Sequence, residues 1–194
     1  MNEATPETLA SPEMTGEGRL PGDPTRQQIL GRIIRVDQAG EAGAGRIYEG
    51  QLAVLGHTSA AESIRHMADQ EREHLATFNA LMIERRVRPT LLSPLWHVAG
   101  FALGAGTALM GARAAMACTV AVEEAIDEHY ANQAASLGND EAPLRETILA
   151  ARADEIEHRD IARDAGAEQA PGYVVLHGAI KTGTRIAIWL TERI

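Results

Sequence analysis

Cysteine is nearly absent. Cys118 is the only one in 194 residues, so no intramolecular disulfide can form and a thiolate metal cluster is excluded. Set in an apolar run, that thiol reads as a small buried hydrophobe. Aromatic side chains are scarce as well, 4% of the chain against 45% apolar residues overall. Ala, Leu and Ile must fill the core, which suits close-packed helices better than a sheet core rich in Val, Tyr and Phe. Positive charge is in deficit: 18 Lys and Arg face 27 Asp and Glu, a net charge of -9. With no basic run interleaved with aromatics, nucleic acid is not an expected partner. Strand alternation is missing throughout. Residues 1–23 lack both the apolar stretch of a secretory leader and the Arg-rich pattern of an organelle transit peptide. That polar segment reads as a disordered tail ahead of one domain over residues 24–194, a length that carries one sizeable core.

What is present is helical periodicity. Asp23-Pro24 predicts a helix start, and Leu30, Ile34, Asp37, Glu41, Ala44, Tyr48, Leu52 and Leu55 then share one stripe, closed by Gly56. Gly40, Gly43, Gly45 and Gly50 weaken this helix by about 1 kcal/mol each relative to Ala, which predicts close approach of a neighbouring backbone. Ser59-Ala-Ala-Glu62 has capping-box spacing for a second helix, with Ile64, Met67, Glu71, His74, Leu75, Phe78, Leu81 and Met82 on its stripe and a stop before Pro89. From Pro89 to Ala112 the chain carries no charge. Its length would cross a bilayer, but Pro94, His97 and four glycines argue instead for an apolar connection containing a short helix. Gly100-x-x-x-Gly104 matches a helix-packing pattern, and a Gly-rich loop gives the same string. A third helix is predicted from about Arg113 to Leu137, apolar nearly all round up to Val122. The fourth starts near Pro143 with Leu144, Ile148, Ala151, Glu155, His158, Ala162 and Ala165 on one stripe. A last, basic and amphipathic helix is predicted over Val174–Ile194. The expected fold is all-α: a four-helix bundle with an apolar crossover between helices two and three and an extra C-terminal helix.

The chemistry lies in where the carboxylates fall. An ionised carboxylate buried without a partner is very costly, so Glu belongs on the solvated face of a bundle helix. Glu71 and Glu155 instead sit mid-stripe, each with a His three residues on: Glu71-x-x-His74 and Glu155-x-x-His158. An i, i+3 pair shares a face, so each offers one oxygen and one imidazole nitrogen to a common ion. Helix one supplies Glu41 from its stripe, and helix three supplies Glu123 beside Val120, Ile126 and Tyr130. Glu124 is the alternative by a small rotation; the apolar neighbours favour Glu123. The chain thus reads as two copies of helix–Glu followed by helix–Glu-x-x-His, the ligand set of carboxylate-bridged di-iron bundles. Oxygen-rich anionic ligands with one imidazole per ion suit iron, and four carboxylates match the charge of two Fe(II) ions.

Several strings also resemble one family. Ile34-Arg-Val-Asp37-Gln-Ala-Gly-Glu41, Asp69-Gln-Glu71-Arg-Glu-His74, Arg86-Val-Arg-Pro89, Phe101-Ala-Leu-Gly104, Ala117-Cys-Thr-Val-Ala-Val-Glu123-Glu and Asp154-Glu155-Ile-Glu-His158 look like the demethoxyubiquinone hydroxylases of ubiquinone biosynthesis. The resemblance runs from about residue 26 to the C-terminus. It implies an oxygen-dependent monooxygenase acting on the ring of a polyprenylated quinone precursor, with two iron ions on Glu41, Glu71, His74, Glu123, Glu155 and His158. It also implies NADH as an electron source, O2 as co-substrate and a peripheral place on the membrane surface. The setting expected for a bacterial member is the cytoplasmic side of the inner membrane, with a homo-oligomer and a lipid-binding helper protein as further expected partners. The charge-free stretch around Trp96 and Phe101, with the basic end carrying Trp189, then becomes a lipid contact; packing on the bundle or at a dimer interface is the plain alternative.

Near the site, Asp37, one turn before Glu41, is placed to hydrogen-bond a ligand His, or else to take a solvated or capping role. His129 and Tyr130 are placed to hold a quinone ring or pass a proton, against the plainer reading of a satisfied His and a core Tyr. Two other functions compete with the hydroxylase: iron oxidation or storage on the same bundle, and a membrane-surface scaffold whose Glu and His form an ion-pair network.

Overall fold

The computed structural model describes residue 20 and residues 22–194, so the predicted tail lies almost wholly outside the described residues. Among the described residues six α-helices follow in order: α1 Arg26–Leu55, α2 Ala61–Glu84, α3 Ser93–Leu109, α4 Ala112–Ser136, α5 Ala142–Asp164 and α6 Tyr173–Thr191. No strand occurs among the described residues. The segment expected to be a connection with a short helix is in fact a helix of 17 residues, α3; without charge or internal Pro beyond its first turn, nothing in it interrupts the i→i−4 ladder. Among the described residues, no helix is long and apolar enough to cross a membrane.

Local signals act at other places than expected for the caps. The capping box forms at Thr25, whose hydroxyl accepts from the Gln28 N–H at 3.1 Å while Gln28 Oε1 accepts from the Thr25 N–H at 2.7 Å. The box predicted at Ser59 does not: the N-cap of α2 is Ala60, which offers no side-chain cap. Two turns replace it there, the Thr58 N–H bonding to Leu55 O and the Ala61 N–H to Thr58 O.

α1 packs between α2 and α3, and α4 between α5 and α6. α4 is the innermost helix, continuously buried from Ala114 to Glu123; its run of Ala and other small residues admits neighbours on every side. α3 lies on α1 almost backbone to backbone. A Cβ on Gly104 would stand 1.9 Å from Ile47 O, and one on Gly50 2.3 Å from Phe101 O. The close approach expected from the α1 glycines is therefore made at Gly50, while Gly40, Gly43 and Gly45 have open space where a Cβ would be. Of the Gly100-x-x-x-Gly104 alternatives, the helix-packing one holds, Gly100 lying against Gly43 O.

The core divides into two apolar clusters. One gathers Ile34, Phe78, Ile126, Tyr130, Leu144 and Ile148; the other gathers Tyr48, Ile64, Met67, Met116, Val120 and Ala162. Along each of α1, α2, α4 and α5 a single buried glutamate lies between the two sets: Glu41, Glu71, Glu123 and Glu155. These carboxylates form a polar layer across an otherwise apolar interior.

Candidate metal centre

All four glutamates are 1–2% exposed and His158 is fully buried. The helices bring them together in two overlapping groups, Glu41, Glu71, His74 and Glu155, and Glu71, Glu123, Glu155 and His158; within each, one ligand atom per residue lies within 4.8 Å of every other. Glu71 and Glu155 belong to both groups. His74 Nδ1 stands 3.4 Å from Glu41 Oε2 and 3.5 Å from Glu155 Oε1. His158 Nδ1 stands 3.3 Å from Glu71 Oε1 and 3.4 Å from Glu155 Oε2. The arrangement is two lobes, each with one imidazole and one carboxylate of its own, sharing two further carboxylates.

The outer atoms of these side chains are held, and the inner ones are not. His74 Nε2 meets Asp154 Oδ2 at 2.8 Å, and His158 Nε2 meets Gln70 Oε1 at 3.0 Å. With the proton on Nε2 in each ring, Nδ1 keeps its lone pair and faces the centre. The Tyr48 hydroxyl donates to Glu123 Oε1 at 2.7 Å, and the Tyr130 hydroxyl donates to Glu41 Oε1. What remains has no hydrogen-bonding partner: Glu41 Oε2, Glu123 Oε2, both oxygens of Glu71 and of Glu155, and Nδ1 of His74 and His158. Buried polar atoms are almost always paired. Eight orphans converging from four helices fit two divalent cations, one per lobe, in number, charge and donor type.

The electrostatics of the metal-free chain point the same way. Burial pushes the Glu71 and Glu123 carboxyls well above the usual range, and repulsion from Glu155 adds to it. For Glu155 burial works against ionisation, but contacts from His158 and His74 outweigh it and hold the group down at about 2. Burial also opposes charge on His74, yet its contacts with Glu155, Glu41 and Asp154 push the imidazole up to about 11. Without cations, the centre must therefore carry protons in their place.

Each residue predicted to be a ligand is in this cluster. Glu124 turns the other way, toward Arg163 at 2.6 Å, Lys181 at 2.7 Å and His177 at 3.1 Å. Asp37 does not reach a histidine of the centre; it accepts from Gln133 Nε2 at 2.7 Å. The carboxylate behind His74 is Asp154, which the sequence reading passed over. Its signal was present, since a residue next to a buried Glu on a helix faces the neighbouring side of the same crossing. Gln70, beside Glu71, was missed likewise, and Tyr48 was read only as core. His129 lies 3.8 Å from Asp37 and 2.8 Å from Gln133 Nε2, outside the cluster, while Tyr130 touches Glu41.

An apolar cavity of about 450 Å³ adjoins the centre, walled by α1, α3, α4 and α6. Gly40 and Ala44, on either side of Glu41, line it, as do Val122 and Ile126 around Glu123. Trp96 Nε1 donates to Thr191 Oγ1 at 3.0 Å across its mouth, tying the start of α3 to the end of α6.

The family profile described as ubiquinone biosynthesis protein COQ7 matches residues 28–191. A 3-demethoxyubiquinol 3-hydroxylase of Rhodospirillum rubrum is 61% identical over 186 residues, 95% of this chain and 88% of the relative. The human NADPH-dependent 3-demethoxyubiquinone 3-hydroxylase, mitochondrial, is 54% identical over 176 residues, 89% of this chain and 81% of the relative. The 5-demethoxyubiquinone hydroxylase, mitochondrial, of Saccharomyces cerevisiae is 47% identical over 183 residues, 86% and 78% of the two chains.

Proposed function

Because the chain belongs to the COQ7 family of demethoxyubiquinone hydroxylases, we propose that its two-lobed centre holds two iron ions on Glu41, Glu71, His74, Glu123, Glu155 and His158. The reaction is that of a 3-demethoxyubiquinol 3-hydroxylase in ubiquinone biosynthesis, a monooxygenase step. The observation that carries the metal assignment is the set of eight buried, partnerless oxygen and nitrogen atoms facing one another from four helices. On this reading residues 24–194 form one ferritin-like di-iron domain.

Iron held there by these six side chains would supply activation of O2, so that, with two electrons from a pyridine nucleotide, one oxygen atom would enter the ring and the other would leave as water. The protein's own groups set the stage. Asp154 and Gln70 fix both imidazoles with Nδ1 inward, and Tyr48 and Tyr130 hold one oxygen of Glu123 and of Glu41. Burial, reinforced by Glu123 and by Glu41 respectively, raises both phenols well above their ordinary range, so they remain O–H donors. Tyr130 therefore acts through Glu41, and His129 is a partner of Gln133 away from the reacting atoms. The apolar cavity receives the ring with the first part of a polyprenyl tail and keeps bulk water from the centre. NADH or NADPH serves as the electron source, the latter following the naming of the human relative.

A tail of that kind resides in a bilayer, and the walls of the cavity present apolar side chains outward. Val98 of α3 is 69% exposed and Trp189 of α6 is 53% exposed, with Leu91, Leu95 and Ile186 beside them. This α3/α6 face lies on the lipid surface without crossing it. The test is a mass spectrum of quinone lipids from source cells lacking the chain. A precursor short of one methoxy group accumulates, the wild-type chain clears it and Glu123→Ala does not; an unchanged quinone pool would refute the assignment.

A further inference from the structure

A second cavity, of about 650 Å³, lies between the start of α1, the α2–α3 connection and the end of α6, and its character is the opposite of the first. Six arginines line it: Arg32, Arg35, Arg85, Arg86, Arg88 and Arg193. Glu192 is the one acidic residue in its wall. Two of the six are already paired, Arg85 with Glu141 in a two-pronged contact at 3.2 and 3.1 Å and Arg193 with Glu192 at 3.2 Å. Arg35 Nε donates to the Arg88 carbonyl at 2.9 Å, which pins the connection against α1 and keeps the two side chains together. Among the described residues, Arg32, Arg35, Arg86 and Arg88 have no carboxylate within ion-pair distance. Four uncompensated cations converging on one concavity are unexpected in a chain of net charge -9. Like charges gathered without a counter-ion repel, and a planar guanidinium fork matches phosphate oxygens.

The backbone at this place carries a second sign. Arg86 has φ 52, the only positive φ at a non-glycine position among the described residues. It ends α2 in a left-handed turn, with the Val87 N–H bonding to Met82 O and the Arg86 N–H bonding to Ile83 O. Glycine is the residue this turn favours. Arginine stands there instead, projecting into the cavity.

We infer that this arginine pocket binds the phosphate of an acidic phospholipid headgroup at the edge of the α3/α6 face, an inference that rests on that face meeting lipid. Position selects lipid over a soluble phosphate. Arg86 and Arg88 immediately precede the exposed Leu91 and Leu95, and Arg193 lies between the exposed Trp189 and Ile194. The Trp96–Thr191 hydrogen bond holds these two ends side by side. A headgroup seated on the arginines would have its acyl chains beside the apolar face, and would fix the angle at which the cavity meets the bilayer.

The experiment is co-sedimentation of the full-length, iron-loaded chain with vesicles of phosphatidylcholine alone or mixed with phosphatidylglycerol. The expected result is tighter binding to the mixed vesicles, weakened about fivefold in each of Arg86→Gly and Arg32→Gln, with binding to phosphatidylcholine alone unchanged. Arg86→Gly removes the strained side chain, so its melting temperature stays level or rises and unfolding cannot account for the loss. Equal binding of wild type and both variants to the mixed vesicles overturns the headgroup site and leaves the apolar face standing. Failure to bind either vesicle refutes the lipid contact itself and the headgroup site with it. Inorganic pyrophosphate binding to the lipid-free chain, lost in the same variants, alongside vesicle binding that they do not change, would make the ligand a soluble phosphate instead.

Discussion

Two glycines of α3 should respond to the same substitution with opposite signs. At Gly104 a Cβ would stand 1.9 Å from Ile47 O, 2.7 Å from its carbonyl carbon and 3.0 Å from its Cα. Those are backbone atoms in the middle of α1, hydrogen-bonded within the helix, and none can rotate aside. Ordinary contact begins near 3.4 Å, so Gly104→Ala requires α3 and α1 to separate by roughly 1.5 Å locally. Overpacking costs about 1–3 kcal/mol, and against backbone atoms that cannot move aside, with contacts forfeited along the whole crossing, the upper part of that range applies, about 2–3 kcal/mol. The gain in helix propensity, about 1 kcal/mol, offsets part of it. A net loss of about 1–2 kcal/mol remains, which for a domain of this size lowers Tm by about 2–8 °C. Gly106, two residues on, is exposed and has nothing within 4 Å of where a Cβ would stand. There the propensity gain is unopposed, and Gly106→Ala should raise Tm by about 2–4 °C. Thermal melts followed at 222 nm on the two variants and wild type decide the matter. A Gly104→Ala protein as stable as wild type would show that α3 does not lie on α1 at backbone distance, and the shape assigned to the apolar cavity would fall with it.

Two further outcomes concern the centre. Asp154→Asn replaces a charged acceptor behind His74 with an amide that can present its N–H₂ to the ring; iron affinity should drop about 10–100-fold, read by competition with a chelator, and an unchanged affinity would remove Asp154 from the account. For the chelator-treated protein the pH dependence follows from protons standing in for metal. His74, raised to about 11 from 6.5, contributes stability that is full below about 6.5 and is lost as pH climbs toward 11. Glu71 and Glu123, raised by burial, act in the same direction, since the folded form retains protons the unfolded chain has shed. Glu155, held at about 2, contributes stability above about 4.5 that is lost as pH falls. Urea melts of the metal-free chain should therefore weaken from pH 6 to 9, and the iron-loaded chain should lose less over the same range; a metal-free chain that gains stability there would contradict the assignment.

How far the sequence carried this picture depended on distance along the chain. The six residues of the centre were legible because each is a charged or titratable group on the wrong side of its own helix, a contradiction visible within one stripe. Glu123 could be preferred over Glu124 for the same local reason, and α4 could be read as buried on several sides because it is apolar nearly all round up to Val122. The helix at Ser93–Leu109 was underestimated because its glycines count against a helix locally, whereas two of them, Gly100 and Gly104, are what lets it lie on α1. The cap at Ser59 had the right spacing, but the turns through Thr58 settled the start of α2 first. Asp37 was offered as a histidine partner because it lies one turn before Glu41, while the actual pairing, Asp154 with His74, joins residues 80 apart. The arginine pocket was beyond reach for that reason too: its members come from the beginning, middle and end of the chain, and no window of sequence holds them together.

The two outer helices are fastened by different means, and that difference decides which wall of the apolar cavity responds to solution conditions. α3 is locked by steric contact of main chain on main chain, a joint that neither salt nor pH can loosen. α6 buries only Ile180 and Thr191 and is otherwise moored by a row of charges, Lys181 and Arg185 against Glu124 and Glu128. Ion pairs at that level of exposure weaken with ionic strength. The cavity between them thus has one wall set by main-chain packing and one held largely by charge, and added salt loosens the α6 wall alone.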